Sequence, residues 1–410
     1  MRVLFVCHRF PYPPQRGGKI RPFNIIRHLT SQGHEVLVAS LARSADEERA
    51  AQGIRDHCAD FFVARVSPLA AIARMVLRLP TLQASSMGYF FSPSLQRQVR
   101  RWVVERKPDL IFVHCSSVAQ YVADVHGIPK IIDFGDMDSQ KWIDYVKFKP
   151  WPLSWGYWLE GKKLERQERR LAKNFMLSTC TTRGELETLE SYHVAKSTGW
   201  FPNGVDGEYF KPSDESYDPN TICFVGRMDY FPNQQAVLEF CRDVLPTLKA
   251  RRPQLSFLIV GAEPSAEIRA LANLAGVTVT GSVPDVRPFV RRAALTIAPL
   301  RIARGTQNKI IESMAMGVPV VTSSTAARGV DVVVGEHLLV AEASAEWVAQ
   351  IQRILDDPAE RERLASNGRA RVLAQHNWSR SMQRLDALID GLSSTASVGR
   401  SETVAIGAKS

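Results

Sequence analysis

The feature that most constrains the fold of this 410-residue chain is an alternation of short apolar runs and amphipathic segments, played through once and then again. "RVLFVC" (2–7) leads through a Pro- and Gly-rich loop to a helical pattern that stops at Gly33, and "EVLVASL" (35–41) follows as the next strand. Further strands are expected at 61–63, 110–115, 130–134 and 174–180. The pattern restarts with "TICFVGRM" (221–228), "LSFLIVG" (255–261), "VTVTGSV" (277–283) and "LTIAPL" (295–300), with helical segments between. Strands separated by helices form parallel sheets. Two such trains imply an α/β chain of two Rossmann-like, doubly wound domains facing a cleft. The turn-rich run "GWFPNGVDGEYFKP" (199–212) marks the joint. This divides the chain into 1–200, 201–377, a helix over 378–393 starting at Trp378, and a polar tail at 394–410 that is expected to be disordered.

Charge is unevenly placed. Residues 1–200 hold 29 Lys and Arg against 19 Asp and Glu, whereas residues 201–410 hold 23 of each, so the first half carries the whole excess of +10. That suits a phosphate-bearing substrate or an anionic membrane surface as partner, and a solvated basic face accounts for it equally well. A nucleic acid is the least favoured partner, because no recognition helix or aromatic RNA-binding motif accompanies the basic excess. The six cysteines show neither paired spacing nor a CxxC pair, which suits a reduced, cytoplasmic chain with no metal site. The N-terminal apolar run ends at His8, too short for a secretory signal, and no apolar run reaches the ~18 residues of a membrane span.

In open α/β sheets ligands bind at the carboxyl ends of strands, beside helix N-termini. Three loops there are candidates. Gly17-Gly18, followed by Lys19 and Arg21, could bring backbone N–H groups to an anion, or could be only a turn. Gly226-Arg227 closes the first strand of the second half. Gly305-Thr306 opens "RGTQNKIIESMAMGVPVV" (304–321), which reads as a turn, a helix to Met316, a break at Gly317 and a strand over 318–321. The N–H groups of Gly305, Thr306, Gln307 and Asn308 are then the unpaired donors of a helix start, and Lys309 adds a full positive charge. Glu312, three residues on, lies on the same helix face. Phosphate donors beside a carboxylate acceptor suit a nucleoside diphosphate, the carboxylate taking the ribose hydroxyls. A surface Lys–Glu pair on an amphipathic helix is the plain alternative.

"NKIIESMAMGVPVV" resembles the donor-site motif of family 4 glycosyltransferases, the retaining family with the GT-B fold. "PPQRGGKIRPFNIIRHLTSQGHEV", "FPNGVDGEYFKP", "CFVGRM", "LIVGAEP", "VTGSVPDV" and "LTIAPLR" resemble that family's other segments, in the same order. "DFGDMDSQKW" (133–142) and "GRMDYFPNQQAV" (226–237) resemble a narrower group, the sugar transferases of bacterial exopolysaccharide and exosortase loci. The resemblance implies a nucleotide-sugar donor, of UDP or GDP type, held mainly by the second domain. It implies a glycan or lipid-linked acceptor, a final helix that crosses back to the first domain, and no cofactor or metal. Arg227 and Lys309 would stabilise the departing diphosphate, Val283 would border the base, and a phosphate oxygen would take the acceptor's proton. The chain would work in the cytoplasm, peripheral on the inner face of the cell membrane.

The sequence departs from the family pattern in three places. Arg304 stands where the family has a sugar-binding glutamate; as a pure donor it must contact the diphosphate or a carboxylate on the sugar, or be simply exposed. Pro232, followed by Asn233, stands at the place assigned to a family lysine. Gly135 stands where the family often has a histidine near the reaction centre, and His114 is the nearest histidine. His114 serves there or is a satisfied strand-end residue. Asp136 or Asp138 orients the acceptor, or Asp138 only caps the following helix. The segment 142–175, with four tryptophans ahead of a basic helix, suits an anionic interface or an internal helix lining the acceptor site. A nucleotide-sugar 2-epimerase and a silent scaffold subunit of a polysaccharide assembly complex are the competing functions.

Overall fold

The computed structural model describes residues 1–14 and 17–405, with side chains as far as residue 391. The chain divides into two compact units. The first runs to Pro202 and takes up the chain again from Met382; the second is Asn203–Ser381.

The first unit is built on a seven-stranded, wholly parallel sheet. Its strands are β1 (Arg2–Cys7), β2 (Glu35–Ala42), β3 (Asp60–Arg65), β4 (Leu110–His114), β5 (Lys130–Gly135), β6 (Leu177–Cys180) and β7 (Thr198–Trp200), in the order β3-β2-β1-β4-β5-β6-β7. The central strands β1 and β4 pair from Val3↔Leu110 to Cys7↔His114. β4 is buried throughout and β1 from Val3 to Cys7. That explains their continuous apolar runs: helices cover both faces of such a sheet, so alternation with polar residues disappears. Phe5 and Phe112 stack across the pair at 5.1 Å.

The second unit repeats the plan with six parallel strands, β8 (Asp218–Val225), β9 (Ser256–Val260), β10 (Val277–Gly281), β11 (Ala293–Ala298), β12 (Val320–Thr322) and β13 (Leu339–Val340). Their order is β10-β9-β8-β11-β12-β13. In each sheet the order reverses beside the first strand, between β1 and β4 and between β8 and β11. The crevice beyond the carboxyl ends of those strands is where such sheets bind ligands.

The alternation in the sequence therefore locates every strand named from it. Two expectations need correction. In the stretch 304–321 the turn at Gly305-Thr306 is followed by a helix over Asn308–Ala315, ending one residue before Met316, and the strand expected over 318–321 is Val320–Thr322. The separate tail expected from 394 is not found: the helix that opens at Trp378 continues to Ala405, a stretch that no proline interrupts, and 406–410 lie outside the described residues. This helix meets the first unit at Gly199, where any Cβ would fall 2.6 Å from Leu388, and through a contact of 2.9 Å between His28 Nε2 and Asp386.

Candidate active site

In the second unit the loops after β8, β9 and β11 meet around two glycines. Gly226 continues the ladder by donating to Val260 O at 3.0 Å. A Cβ on Gly261, at φ 156, would lie 1.8 Å from Gly226 O, so glycine at 261 is what lets the two loops touch. A Cβ on Gly226 would meet Asn233 Nδ2 at 2.7 Å and Lys309 Nζ at 3.0 Å. The bare backbone at 226 thus makes room for a polar triad. Lys309 Nζ donates to Asn233 Oδ1 at 2.6 Å, and Asn233 Nδ2 donates to the Arg227 carbonyl at 2.8 Å. Lys309 also lies over the Phe224 ring at 4.4 Å.

The helix Asn308–Ala315 carries the triad's lysine. Gln307 is its N-cap and makes no side-chain cap bond, its amide turning back instead to the Arg304 carbonyl at 2.9 Å. The donors expected over 305–308 therefore start at Asn308, with Gly305 (φ 62) and Thr306 forming the turn before them. Extra donors at this end come from geometry alone, since the first N–H groups of a helix have no intrahelical acceptor. Thr306 Oγ1 is buried and has no hydrogen-bond partner among the described residues. Lys309 and Glu312 keep some accessible surface but are otherwise enclosed. Burial pushes the Lys309 ammonium down to about 7, against the pull of the Glu312 charge. Burial likewise pushes the Glu312 carboxyl up to about 7, against the pull of Lys309. An anion beside Lys309 and hydroxyl donors beside Glu312 would relieve both.

The structure alters two readings. The Arg227 guanidinium is already engaged. It donates to Asp229 at 3.0 and 2.7 Å and pairs with Glu263 at 2.7 Å, which holds it firmly protonated. Glu263 itself sits at φ 58, a conformation that disfavours residues other than glycine and asparagine. The place assigned to a family lysine also shifts by one. Pro232 is buried in the first turn of the helix Phe231–Asp243, and Asn233 is the side chain that reaches the site. Arg304 is half-buried on the loop before the turn, and Val283 is half-buried against the apolar cluster that includes Val260, Met316 and Val318.

In the first unit the carboxyl ends of β1, β4 and β5 gather a second polar cluster. His114, 5% exposed, contacts Asp133 Oδ2 through Nδ1 at 2.8 Å. Arg21 clamps the same carboxylate through Nε and Nη2 at 2.7 and 2.8 Å, and Thr179 Oγ1 donates to it at 2.9 Å. Burial alone would raise the Asp133 carboxyl, but the Arg21 guanidinium and His114 hold it well below the usual range. His8 lies 5.8 Å from His114, ring to ring. Burial and the charge of His114 push His8 down, and its Nδ1 has no hydrogen-bond partner among the described residues. Gly135, at φ 70, leaves its missing Cβ 3.7 Å from His114 Cε1.

Asp136 accepts from Thr181 Oγ1 at 2.8 Å. Asp138 does not cap the helix Asp138–Tyr145. Met137 is the N-cap, and the Asp138 carboxylate instead accepts from Cys115 Sγ at 3.7 Å. The glycine loop is less cationic than its sequence suggested. Gly17 opens the helix Gly17–Ser31, but Lys19 is paired with Glu47 at 3.1 Å and Arg21 with Asp133. Sequence reasoning missed the Arg21–Asp133 clamp, the bridging role of Asn233 and the carboxylates on Arg227. None of these left a periodic signal in the sequence.

Two Rossmann-like units of this strand order define the GT-B class. The chain matches the family model "Glycosyltransferase Family 4" over residues 16–209 and "Glycosyl transferases group 1" over 219–357. It is a GT-B glycosyltransferase of the family 4, group 1 type. A phosphatidyl-myo-inositol mannosyltransferase of Mycobacterium leprae is 25% identical over 305 residues, covering 70% of this chain and 75% of that protein. The protein of that name from Mycolicibacterium smegmatis is 27% identical over 244 residues, 57% of this chain and 58% of its own length. Among solved structures, a sucrose-phosphate synthase from Thermosynechococcus elongatus superposes with a TM-score of 0.70 at 19% identity, covering 96% of this chain and all (100%) of that one. Anabaena HepE in complex with UDP-glucose superposes with a TM-score of 0.66 at 14% identity over 96% of this chain and 100% of its own.

Proposed function

We propose that the chain transfers a sugar, with retention and without a metal ion, from a nucleotide sugar to a glycan or lipid-linked acceptor in bacterial exopolysaccharide synthesis. It does so in the cytoplasm, at the inner face of the cell membrane. The observation that carries the reading is the Lys309–Asn233–Arg227 backbone triad at the start of a helix whose next turn presents Glu312. Lys309 and the first-turn N–H groups meet the diphosphate, and Glu312 accepts from the ribose hydroxyls. The orphaned Thr306 hydroxyl has an acceptor in a phosphate oxygen. Arg227 exchanges its two carboxylates for the diphosphate, and Arg304 adds to the same charge. Val283 borders the base. In the first unit the backbone at Gly17 and Gly18 offers N–H donors to an anion, while His114, oriented by Asp133, and Asp136 position the acceptor hydroxyl.

In the reaction the bond from the anomeric carbon to the diphosphate oxygen breaks. The acceptor oxygen bonds to that carbon on the same face, and the acceptor's proton passes to the departing diphosphate. Stabilising that leaving group is the main contribution of the protein. The UDP complex of HepE favours a UDP donor, with GDP as the alternative, and the resemblance of 133–142 and 226–237 supports the exopolysaccharide setting. The test is nucleotide release from UDP- and GDP-sugars with and without a membrane extract. Acceptor-dependent release supports transfer. Conversion of the donor without acceptor indicates epimerisation, and no turnover with any donor indicates a scaffold.

A further inference from the structure

The first unit carries an apolar face that no described residue covers. The helix Pro68–Arg78 buries only Ala71. Leu69 is 81% exposed, Leu77 73%, and Leu82, just past the helix, 71%. A second exposed run, including Trp151, Trp155 and Trp158, surrounds the start of the helix Leu153–Asn174. The two runs are neighbours. Lys163 Nζ on the long helix donates to the Leu79 carbonyl at 2.8 Å, and Glu160 accepts from the N–H groups of Ser85 and Ser86 at 2.9 and 2.7 Å. Together they hold ten of the seventeen large apolar side chains exposed among the described residues, so this is a patch and not scatter.

Its electrostatic setting is one-signed. No Asp or Glu occurs between Asp60 and Glu105, a stretch that holds six arginines, although Arg74 and Arg78 on the helix turn back to the Gly88 carbonyl and to Gln120 at 3.3 Å each. None occurs between Asp144 and Glu160 either, where Lys147 and Lys149 lead into Trp151. A two-fold contact with a second copy would set this basic face against itself. The helix has 11 residues, too few to cross a bilayer, and among the described residues no helix is long and apolar enough to do so. Apolar side chains with tryptophans and arginines around them suit the boundary between lipid headgroups and acyl chains.

We propose that this face docks in the plane of an anionic lipid bilayer, with the leucines and tryptophans entering the acyl boundary and the lysines and arginines around them, Lys147 and Lys149 first, meeting lipid phosphates. This deepens the membrane placement proposed above and does not depend on sugar transfer.

The test is flotation of the full chain with phosphatidylglycerol–phosphatidylethanolamine vesicles and with phosphatidylcholine vesicles, at low and high salt. The wild type is expected to float with the anionic vesicles and to be partly released by salt. Leu69→Gln/Leu77→Gln/Leu82→Gln changes only highly exposed side chains, so the fold stays intact. It is expected to lower the partition coefficient on the order of a thousandfold, since each of the three buried leucines is worth about tenfold. Trp151→Gln/Trp155→Gln should move it the same way. Equal flotation of wild type and leucine variant overturns the proposal, as does equal recovery on neutral and anionic lipid. So does a wild-type dimer that the leucine variant dissociates while neither binds vesicles, which would make the face a self-association surface. A failure of the transfer reading shows separately, as absent nucleotide release, and leaves the vesicle result standing.

Discussion

Gly226→Ala isolates the geometry of the donor site without touching a charge. The added methyl would sit 2.7 Å from Asn233 Nδ2 and 3.0 Å from Lys309 Nζ. Lysine can swing its tip away, but the short Asn233 side chain cannot yield without giving up its bonds of 2.8 Å to the Arg227 carbonyl and 2.6 Å to Lys309. Losing two such bonds at a partly open site costs roughly 1–2 kcal/mol of stability, so the variant still folds. The cost to ligand binding is larger, because Lys309 is no longer held where a diphosphate would meet it. One displaced charge-assisted bond is worth about 1.5–3 kcal/mol, or roughly 10- to 150-fold in affinity. Calorimetric titration with UDP and GDP, beside a thermal melt, reads both quantities. A variant that melts a few degrees lower and binds the preferred nucleotide at least about tenfold more weakly agrees with this geometry. Unchanged affinity would refute it, because no anion that uses Lys309 could ignore the methyl.

Nucleoside diphosphate affinity should peak near pH 7, where the buried Lys309 and Glu312 both titrate. Above pH 7 Lys309 must take up a proton to meet the anion, so Kd rises by up to about tenfold per pH unit; below it Glu312 must lose one, so affinity falls again. Titrations in buffers of different ionisation enthalpy measure this proton uptake, and flat affinity from pH 7 to 9 contradicts it. Glu312→Gln should weaken free nucleotide binding and remove the acid limb while keeping the alkaline one; an unaltered profile would make Glu312 a surface residue. Asp133→Asn leaves the Arg21 charge buried without its counter-ion and should destabilise the chain by about 3–5 kcal/mol, read by urea unfolding. Because the Asp133 carboxyl is held low in the folded chain, its contribution is present above about pH 4 and fades as pH falls further. Equal acid sensitivity of Asp133→Asn and wild type would show that the clamp does not stabilise the fold.

The sheets were legible because parallel strands covered on both faces leave uninterrupted apolar runs such as Val3–Val6 and Ile111–Val113. The Lys309–Glu312 pair was legible because helix periodicity fixes its face. The turn at Gly305-Thr306 was legible too, but the helix-start donors expected from Gly305 begin only at Asn308, since Gly305 adopts a left-handed φ and Thr306-Gln307 complete the turn before the helix begins. Long-range polar contacts leave no periodic trace. Arg21 meets Asp133 across 112 residues, and Lys309 meets Asn233 across 76. The neutralising carboxylates of Asp229 and Glu263 hid for the same reason, so Arg227 looked more available than it is. The apolar face of Pro68–Arg78 could not be seen either, because a hydrophobic helical pattern normally means a covered one.

The most direct test of the central claim, that Lys309 and its helix start hold a nucleotide-sugar donor for transfer, is acceptor-dependent turnover in wild type and Lys309→Ala. The assay follows sugar transfer from the preferred nucleotide sugar to a membrane-extract acceptor, with the anomeric configuration of the product read by NMR. The account predicts a product of retained configuration from the wild type and, from a folded Lys309→Ala, a rate lower by at least about tenfold. Wild-type turnover in Lys309→Ala, or a product of inverted configuration, would contradict it.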